Sequence, residues 1–438
     1  VKRLFGTDGV RGIVNEELTP ELAMKIGNAA GRFFLGKYDT LVIAKDTRGS
    51  GDLLEAALAS GAASAGMNVQ LAGVLPTPGL AYCTRQNRFL GAVISASHNP
   101  AVYNGIKLIA EGMKISDEEE VEIENLIDSV PLHYSVFSKV GSISYVSHHR
   151  RDYIAYVSGL FEGHRFADVE VLVDAANGAV FSVVREVLGT LRIDAEYAFV
   201  NPDGININEK CGSTHHESTC RLLKNGQIGV LFDGDADRCL MISENRKLVD
   251  GDMIMALNAQ KMQRTERLSN GTVVSTVMSN LGFEHFLKTR GLRLIRTRVG
   301  DKYVLEKMLE TGSRLGGEQS GHLIFLDRST TGDGLITALE TLNALAELDM
   351  SLNEFTDSFP VFPQVLKNVP VADRRKVMDS EKLKTLLDRA RKDTDLRVVV
   401  RPSGTEPLIR IMVEGMNENK VRDTAEKLAE IIEETNGE

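Results

Sequence analysis

The sequence predicts three α/β units in succession, followed by a smaller α+β domain at the C-terminal end. Three observations carry that expectation. The 438 residues exceed what one hydrophobic core serves, so several domains are needed, with three as the simplest division by length. Short apolar runs alternate with stretches of helical spacing through most of the chain, the pattern of layered sheet and helix. The last segment differs: two strand-like runs flank a Pro/Gly turn and lead into an amphipathic helix.

In the first unit the apolar run 41–44 precedes Leu54, Ala57, Leu58, Gly61, Ala62 and Ala65 at helical spacing, and residues 69–72 and 90–95 then read as strands. Ser116 and Glu119 have the spacing of a capping box at the head of the acidic run 117–124, which reads as the solvated face of a helix. A second unit is marked by the apolar runs 169–173 and 228–232, each ending in acidic and small residues. A third extends from Gly251 through 292–299 to 322–326. In the last domain, strands at 396–400 and 408–413 precede a helix with Val421, Ala425, Leu428 and Ile432 on one face, and prolines at 360–363 and 370 mark the linker before it. The divisions expected are therefore 1–145, 146–247, 248–361 and 362–438.

Composition excludes several classes. Hydrophobic residues at 42% and charged residues at 26% are those of a packed globular chain, neither disordered nor fibrous. With 51 basic against 61 acidic residues the net charge is -10, a field that repels nucleic acid and anionic membrane, so an anionic substrate must be held by local clusters of Arg, Lys and backbone N–H groups. No stretch approaches the ~20 apolar residues that span a bilayer, and no apolar signal core opens the sequence, so a cytoplasmic protein is expected. Cys83, Cys211, Cys220 and Cys239 form no CxxC pair and read as reduced thiols.

Four stretches could carry chemistry. In ISASHNP (94–100) an apolar strand stops at hydroxyl residues and Pro100 steers Asn99 away from helix, which places Ser97 and His98 on an exposed turn at a strand end. Taken alone it fits an ordinary Ser/Asn turn better, and without a GxSxG elbow a hydrolase triad is disfavoured. Lys107, after the Asn104-Gly105 turn, could return to that loop and offset the charge of a phosphorylated serine. In DGDADR (233–238) the carboxylates of Asp233, Asp235 and Asp237 repel one another unless a cation is present, and oxygen ligands favour Mg²⁺ or Ca²⁺ over zinc. An EF-hand would put Glu244 at its twelfth position, but Arg238 occupies the sixth, where that loop needs glycine, and 239–242 looks like a returning strand. An aspartyl-phosphate nucleophile of the haloacid-dehalogenase type fits the local pattern too, and a plain acidic turn is a third reading. RPSGTEPLIR (401–410) offers two arginines, two hydroxyls and a glycine turn between strands, ingredients for gripping a phosphate dianion. GGEQSGH (316–322) presents Glu318, Ser320 and His322 on a glycine-flexed loop suited to sugar hydroxyls, or to solvent. His148, His149, His215 and His216 have no ligand-like spacing, and Arg11 is either a phosphate contact or a surface charge.

ISASHNP, FDGDADR, GEQSGH and RPSGTEP, in this order over essentially the whole chain, resemble the α-D-phosphohexomutase superfamily. FGTDGVRG (5–12), CGSTH (211–215) and RVGDKYV (298–304) are similar to its bacterial glucosamine-phosphate branch, with Asp301 where mannose and glucose mutases usually have histidine. Tyr103 departs from that branch, which commonly has aspartate there, and is more typical of the glucose and mannose enzymes.

The resemblance implies three related α/β domains with mixed sheets and a smaller C-terminal α+β domain with an antiparallel sheet, around a central cleft. It implies interconversion of glucosamine 6-phosphate and glucosamine 1-phosphate through phosphorylated Ser97 and a glucosamine 1,6-bisphosphate, which is both intermediate and candidate activator. Mg²⁺ would be held by Ser97, as the phosphoserine, and by Asp233, Asp235 and Asp237. Arg401, Ser403, Gly404 and Thr405, with Arg410, would hold the phosphate that is not transferred; Glu318 and Ser320 would hold sugar hydroxyls. Arg11, His98, Lys107, Arg238 and His322 map around the phosphoserine, with Lys107 or His322 for proton transfer. The partner expected is a small sugar phosphate, with no nucleic acid or membrane, and a homodimer is a candidate assembly. Alternatives are a phosphomannomutase/phosphoglucomutase of the same superfamily, an aspartyl-phosphate phosphatase, or a silent sugar-phosphate sensor.

Overall fold

The computed structural model describes residues 4–6, 8–129, 131–393, 395–403 and 407–437. The chain divides into two compact units, Val1–Thr276 with Thr297–Asp357, and Val277–Arg296 with Ser358–Glu438. The α/β class and the C-terminal antiparallel domain are as the sequence predicts.

In the first unit, the largest sheet has Thr40–Lys45 at its centre, parallel to Asn68–Val74 on one side and to Leu90–Ile94 on the other. Both faces of this centre are apolar because both are covered. Leu41, Ile43, Leu90, Ala92 and Ile94 enter one core with helices Pro20–Phe34 and Gly51–Ser64, while the alternating Val42, Ala44 and Val93 are buried on the opposite face. Thr19 starts the first of these helices, its Oγ1 accepting the Leu22 N–H at 3.2 Å ahead of Pro20. Helix Asp117–Ser129 opens on the capping box, with the Ser116 N–H donating to Glu119 at 2.9 Å and the Glu119 N–H to Ser116 Oγ at 3.2 Å.

A second sheet sets Ile228–Phe232 parallel to Val171–Asp174, and a third sets Leu315–Gly317 parallel to Thr272–Thr276. One theme recurs in all three sheets. Leu90–Ile94, Ile228–Phe232 and Leu315–Gly317 each leave a parallel pairing, pass through a short loop, and return as an antiparallel neighbour: Tyr103–Ala110, Cys239–Ile242 and Leu323–Phe325. Each loop therefore lies at the carboxyl end of a parallel strand, where open α/β sheets place their ligands. These loops are ISASHNP, DGDADR and GEQSGH.

Helix His148–Leu160 ties the three sheets together. His149 Nε2 lies 2.8 Å from Gln70 Oε1 in the first sheet, Arg150 donates to the Ser182 carbonyl at 2.6 Å beside the second, and Tyr153 Oη donates to Asp333 Oδ2 at 2.9 Å beside the third.

The second unit contains an antiparallel sheet in the order Gln364–Pro370, Leu408–Gly415, Leu396–Pro402, packed against helices Glu381–Arg391 and Glu418–Gly437. Val421, Ala425, Leu428 and Ile432 are fully buried, as their spacing predicts. Among the described residues no helix is long and apolar enough to cross a membrane.

Burial, with the nearby His148, pushes His149 down from 6.5 to about 4. An imidazole more basic unfolded than folded contributes stability that is complete above the unfolded value and is lost as pH falls from about 6.5 to about 4, to a limit of ~3 kcal/mol. Thermal unfolding of His149→Asn should therefore lose less stability between pH 7.5 and pH 5 than the wild type does. Equal losses would show that His149 does not carry this acid sensitivity.

Candidate active site

Strand Leu90–Ile94 ends against Ser95, and two residues later the backbone of Ser97 turns into the left-handed region, with φ 50°. The Ser97 N–H donates to Ser95 Oγ at 2.9 Å, and Ser97 Oγ donates to Asp233 Oδ2 at 2.5 Å. The turn is where the sequence places it, but Ser97 is not exposed. It is only 2% accessible, because the DGDADR loop lies directly over it: a Cβ on Gly234 would stand 2.5 Å from the Ser97 carbonyl oxygen. Sequence spacing within one loop gives no sign of the loop that covers it.

Asp233, Asp235 and Asp237 are all buried, and each offers a carboxylate oxygen within 4.8 Å of the others. The loop is held by Thr77, whose N–H donates to the Asp235 carbonyl at 3.0 Å and whose Oγ1 donates to Asp235 Oδ2 at 2.5 Å. Burial, and then Asp237 and Asp235, push the Asp233 carboxyl well above the usual range. Burial and Asp237 likewise push Asp235 up to about 6. For Asp237 burial acts in the same direction, but His322, Lys107 and Arg238 outweigh it and hold the carboxyl far below the ordinary range. Asp235 Oδ1 and Asp237 Oδ1 are buried with no hydrogen-bond partner among the described residues. Unsatisfied, mutually repelling oxygens of this kind fit a hard divalent cation, and the all-oxygen donor set excludes a zinc-type thiolate or imidazole cage.

Cationic groups surround the carboxylates. Burial opposes the charge on Lys107, but Asp8, Asp235 and Asp237 more than offset this and hold the ammonium above its ordinary range, with Nζ 2.6 Å from Asp8. Arg11 also pairs with Asp8. Arg238 Nε lies 3.8 Å from Asp237. His98 is pushed down to about 4 by burial, Arg238 and Arg11. His322 Nδ1 lies 3.4 Å from Asp237, and the Gly332 N–H donates to its Nε2 at 3.1 Å. Burial lowers the His322 pKa and Asp237 reverses this, lifting it to about 9; the Gly332 N–H, which needs an unprotonated Nε2, opposes that rise.

Ser97, His98, Lys107, Arg11, Arg238, His322 and the three aspartates are thus gathered at one centre. Glu318 joins its edge: its charge acts on Arg238 and His322, and its Oε1 accepts the Gly300 N–H at 3.0 Å. Ser320 is exposed at the tip of the same loop, apart from that centre's contacts. Two members escape the sequence reading. Asp8 lies inside the FGTDGVRG stretch, and its place beside Arg11 is the signal that could have found it; Thr77 has no motif around it.

In the second unit Arg401 and Arg410 are direct cross-strand partners. Burial and the Arg410 charge both lower the Arg401 pKa. Like charges opposed in a strand pair destabilise it, and an anion between them removes the penalty. Ser403 is buried beside them and its N–H donates to the Leu408 carbonyl at 2.9 Å; Gly404 and Thr405 lie outside the described residues.

Family models of phosphoglucomutase/phosphomannomutase match in three places: α/β/α domain I at residues 2–132, α/β/α domain III at 250–362 and the C-terminal domain at 366–431. The chain belongs to this family. Among its curated members it is 45% identical over 430 residues to the phosphoglucosamine mutase of Thermosipho africanus (98% of each chain). It is 46% identical over 431 residues to that of Thermotoga maritima (98% of this chain, 99% of the other). Solved family structures share the fold. A phosphoglucomutase/phosphomannomutase family protein of Burkholderia thailandensis matches with TM-score 0.83 at 22% identity, covering 99% of this chain and 97% of that one. N-acetylphosphoglucosamine mutase of Aspergillus fumigatus, solved in complex with GlcNAc-6P and magnesium, matches with TM-score 0.70 at 18% identity, covering 99% and 96%.

The close approach at Gly234 is what brings the acidic loop onto Ser97. Gly234→Ala should therefore weaken Mg²⁺ binding about 10- to 100-fold in calorimetric titration, as loss of supporting contacts around a metal site does. Gly159→Ala, where an added Cβ meets nothing within 4 Å, should leave it unchanged. Equal affinity in both variants would show that the loop holds its shape without that contact.

Proposed function

We propose that the protein is a phosphoglucosamine mutase, and that phosphorylated Ser97 is the group that gives and takes back the phosphoryl. The observation that carries this reading is Ser97 Oγ at 2.5 Å from Asp233 inside a buried ring of carboxylates and cations. The names of the relatives at 45–46% identity point to glucosamine phosphate as the substrate.

In the forward step the bond between phosphorus and Ser97 Oγ breaks as a bond forms between phosphorus and O1 of glucosamine 6-phosphate. The proton of O1 passes to the protein, and the protein gives one to Ser97 Oγ, which leaves as the hydroxyl, so that the 1,6-bisphosphate is formed. The bisphosphate turns over; the bond between phosphorus and O6 breaks as one forms to Ser97 Oγ, the Ser97 proton passes to the protein, and O6 takes up a proton and leaves as the hydroxyl, giving glucosamine 1-phosphate and restoring the phosphoserine. His322 and Lys107 are the proton-carrying side chains proposed for these transfers. Arg11, Lys107 and Arg238 offset the charge spread over the transferring phosphoryl. Asp233, Asp235 and Asp237 would hold Mg²⁺, which when bound supplies Lewis-acid stabilisation of the phosphoryl oxygens. Arg401, Ser403 and Arg410, with Gly404 and Thr405, would hold the phosphate that is not transferred, and Glu318 and Ser320 the sugar hydroxyls.

Tyr103 favours a second reading, glucose or mannose phosphate as substrate. A side-by-side assay of glucosamine, glucose and mannose 6-phosphates separates the two. The highest kcat/KM on the glucosamine compound is expected; a higher value on either other sugar would reassign the substrate within the same reaction.

Arg401→Ala should raise the KM for sugar phosphate about 10- to 150-fold, the loss of a charge-assisted hydrogen bond of ~1.5–3 kcal/mol. Ser97 should still accept phosphate in that variant. An unchanged KM would show that the arginine pair holds something other than the distal phosphate.

A further inference from the structure

Ser97 adopts a backbone conformation that L-residues other than Asn and Asp rarely occupy, and it does so at the reacting atom. Something must impose it. Directly beneath the loop lies Arg48, whose side chain is completely buried. It follows Asp46 at the end of the neighbouring strand Thr40–Lys45.

All five guanidinium N–H groups of Arg48 are spent. Nη2 donates to the carbonyls of Ser97 at 2.9 Å and Asn99 at 2.8 Å, Nη1 to those of Pro100 at 2.6 Å and Tyr103 at 2.9 Å, and Nε to Asp46 Oδ2 at 2.9 Å. The same Asp46 oxygen accepts from Ser95 Oγ at 2.6 Å, and that hydroxyl accepts the Ser97 N–H at 2.9 Å. A second donor, Asn208 Nδ2, reaches the Ser97 carbonyl at 2.9 Å and that of Asn99 at 3.2 Å. Both polar groups of the Ser97 backbone are therefore fixed, the carbonyl by Arg48 and Asn208, and the N–H through Ser95 and Asp46. The four loop carbonyls are turned inward to the guanidinium. Across the planar peptide this leaves the His98 N–H directed away from Arg48.

We propose that Arg48, with Asn208 as its auxiliary, is the positioning residue of the phosphorylated loop: it clamps the backbone so that Ser97 Oγ is presented to Asp233 and to the transferring phosphoryl. Arg48 touches no reacting atom. It rests on the mutase reading above, and it adds that the alignment of Ser97 is set from the opposite side of the loop by one planar fork. Lysine keeps the charge but not the fork, so it cannot span four carbonyls.

The test uses the full-length enzyme with glucose 1,6-bisphosphate as phosphoryl donor and Mg²⁺ present, following Ser97 loading by rapid quench and mass analysis beside steady-state kinetics. Arg48→Lys should slow both loading and kcat about 100-fold, the scale of a misplacement near 1 Å, while the KM for sugar phosphate stays within about twofold. Asn208→Gly keeps the positive φ of that position and should slow loading about 2- to 10-fold by loss of one donor. A folded Arg48→Lys that loads at the wild-type rate, or one whose KM rises while loading is unaffected, would overturn the clamp. If Arg48→Lys does not fold, Asn208→Gly decides, and wild-type loading there overturns it. Wild-type enzyme that takes no phosphate on Ser97 would instead overturn the mutase reading, and the clamp with it.

Discussion

Three buried carboxylates whose oxygens lie within 4.8 Å of one another cannot all be ionised without compensating charge. Much of the first unit's chemistry answers that constraint. Lys107, Arg238 and His322 come from three different parts of the chain to face the aspartates, and Arg11 and Lys107 share Asp8 beside them. The compensation is uneven: Asp237 is held ionised while Asp233 and Asp235 are pushed towards protonation. Two of their oxygens have no hydrogen-bond partner among the described residues. A divalent cation between the carboxylates would remove the remaining repulsion, and Ser97 is hydrogen-bonded to Asp233, one of the two pushed towards protonation.

The architecture supplies this convergence by repetition. In each of the three sheets a parallel strand ends in a loop of the candidate site and the chain returns antiparallel, so one topological device generates the serine loop, the acidic loop and the glutamate–histidine loop. Cross-contacts then lock them together. Thr77 grips Asp235, the Cys239 N–H donates to the Gly321 carbonyl at 3.0 Å, and the Gly251 N–H donates to the Gln319 carbonyl at 2.9 Å. In the C-terminal unit the paired strands Leu396–Pro402 and Leu408–Gly415 themselves carry the arginine pair, on an antiparallel scaffold instead.

Strong periodicity made some elements legible. Residues 228–232 form a strand at the bounds expected, and the helix face Val421, Ala425, Leu428 and Ile432 is buried as its spacing implies. The site residues were legible as motifs, since carboxylates at alternate positions or a Ser-His-Asn-Pro turn have few simple structural roles. What was not legible depends on contacts distant in sequence. Strand Ile143–Tyr145 is short and exposed, and its pairing with Asn68–Val74 leaves no local hydrophobic pattern. Ser97 reads as exposed because Gly234, which covers it, is 137 positions away. Thr77, Arg48 and Asn208 act on backbone groups of other loops, a role open to many polar residues and so without a signature in the chain around them.

Phosphate is expected to reside on Ser97 and not on the carboxylate against which it rests. Peptide mapping of the enzyme after incubation with glucose 1,6-bisphosphate tests this directly, because phosphoserine and aspartyl phosphate add the same ~80 Da of phosphate but on different peptides. The added mass is expected on the peptide containing Ser97. Its appearance on the peptide containing Asp233, or on neither, would overturn Ser97 as the phosphorylated group.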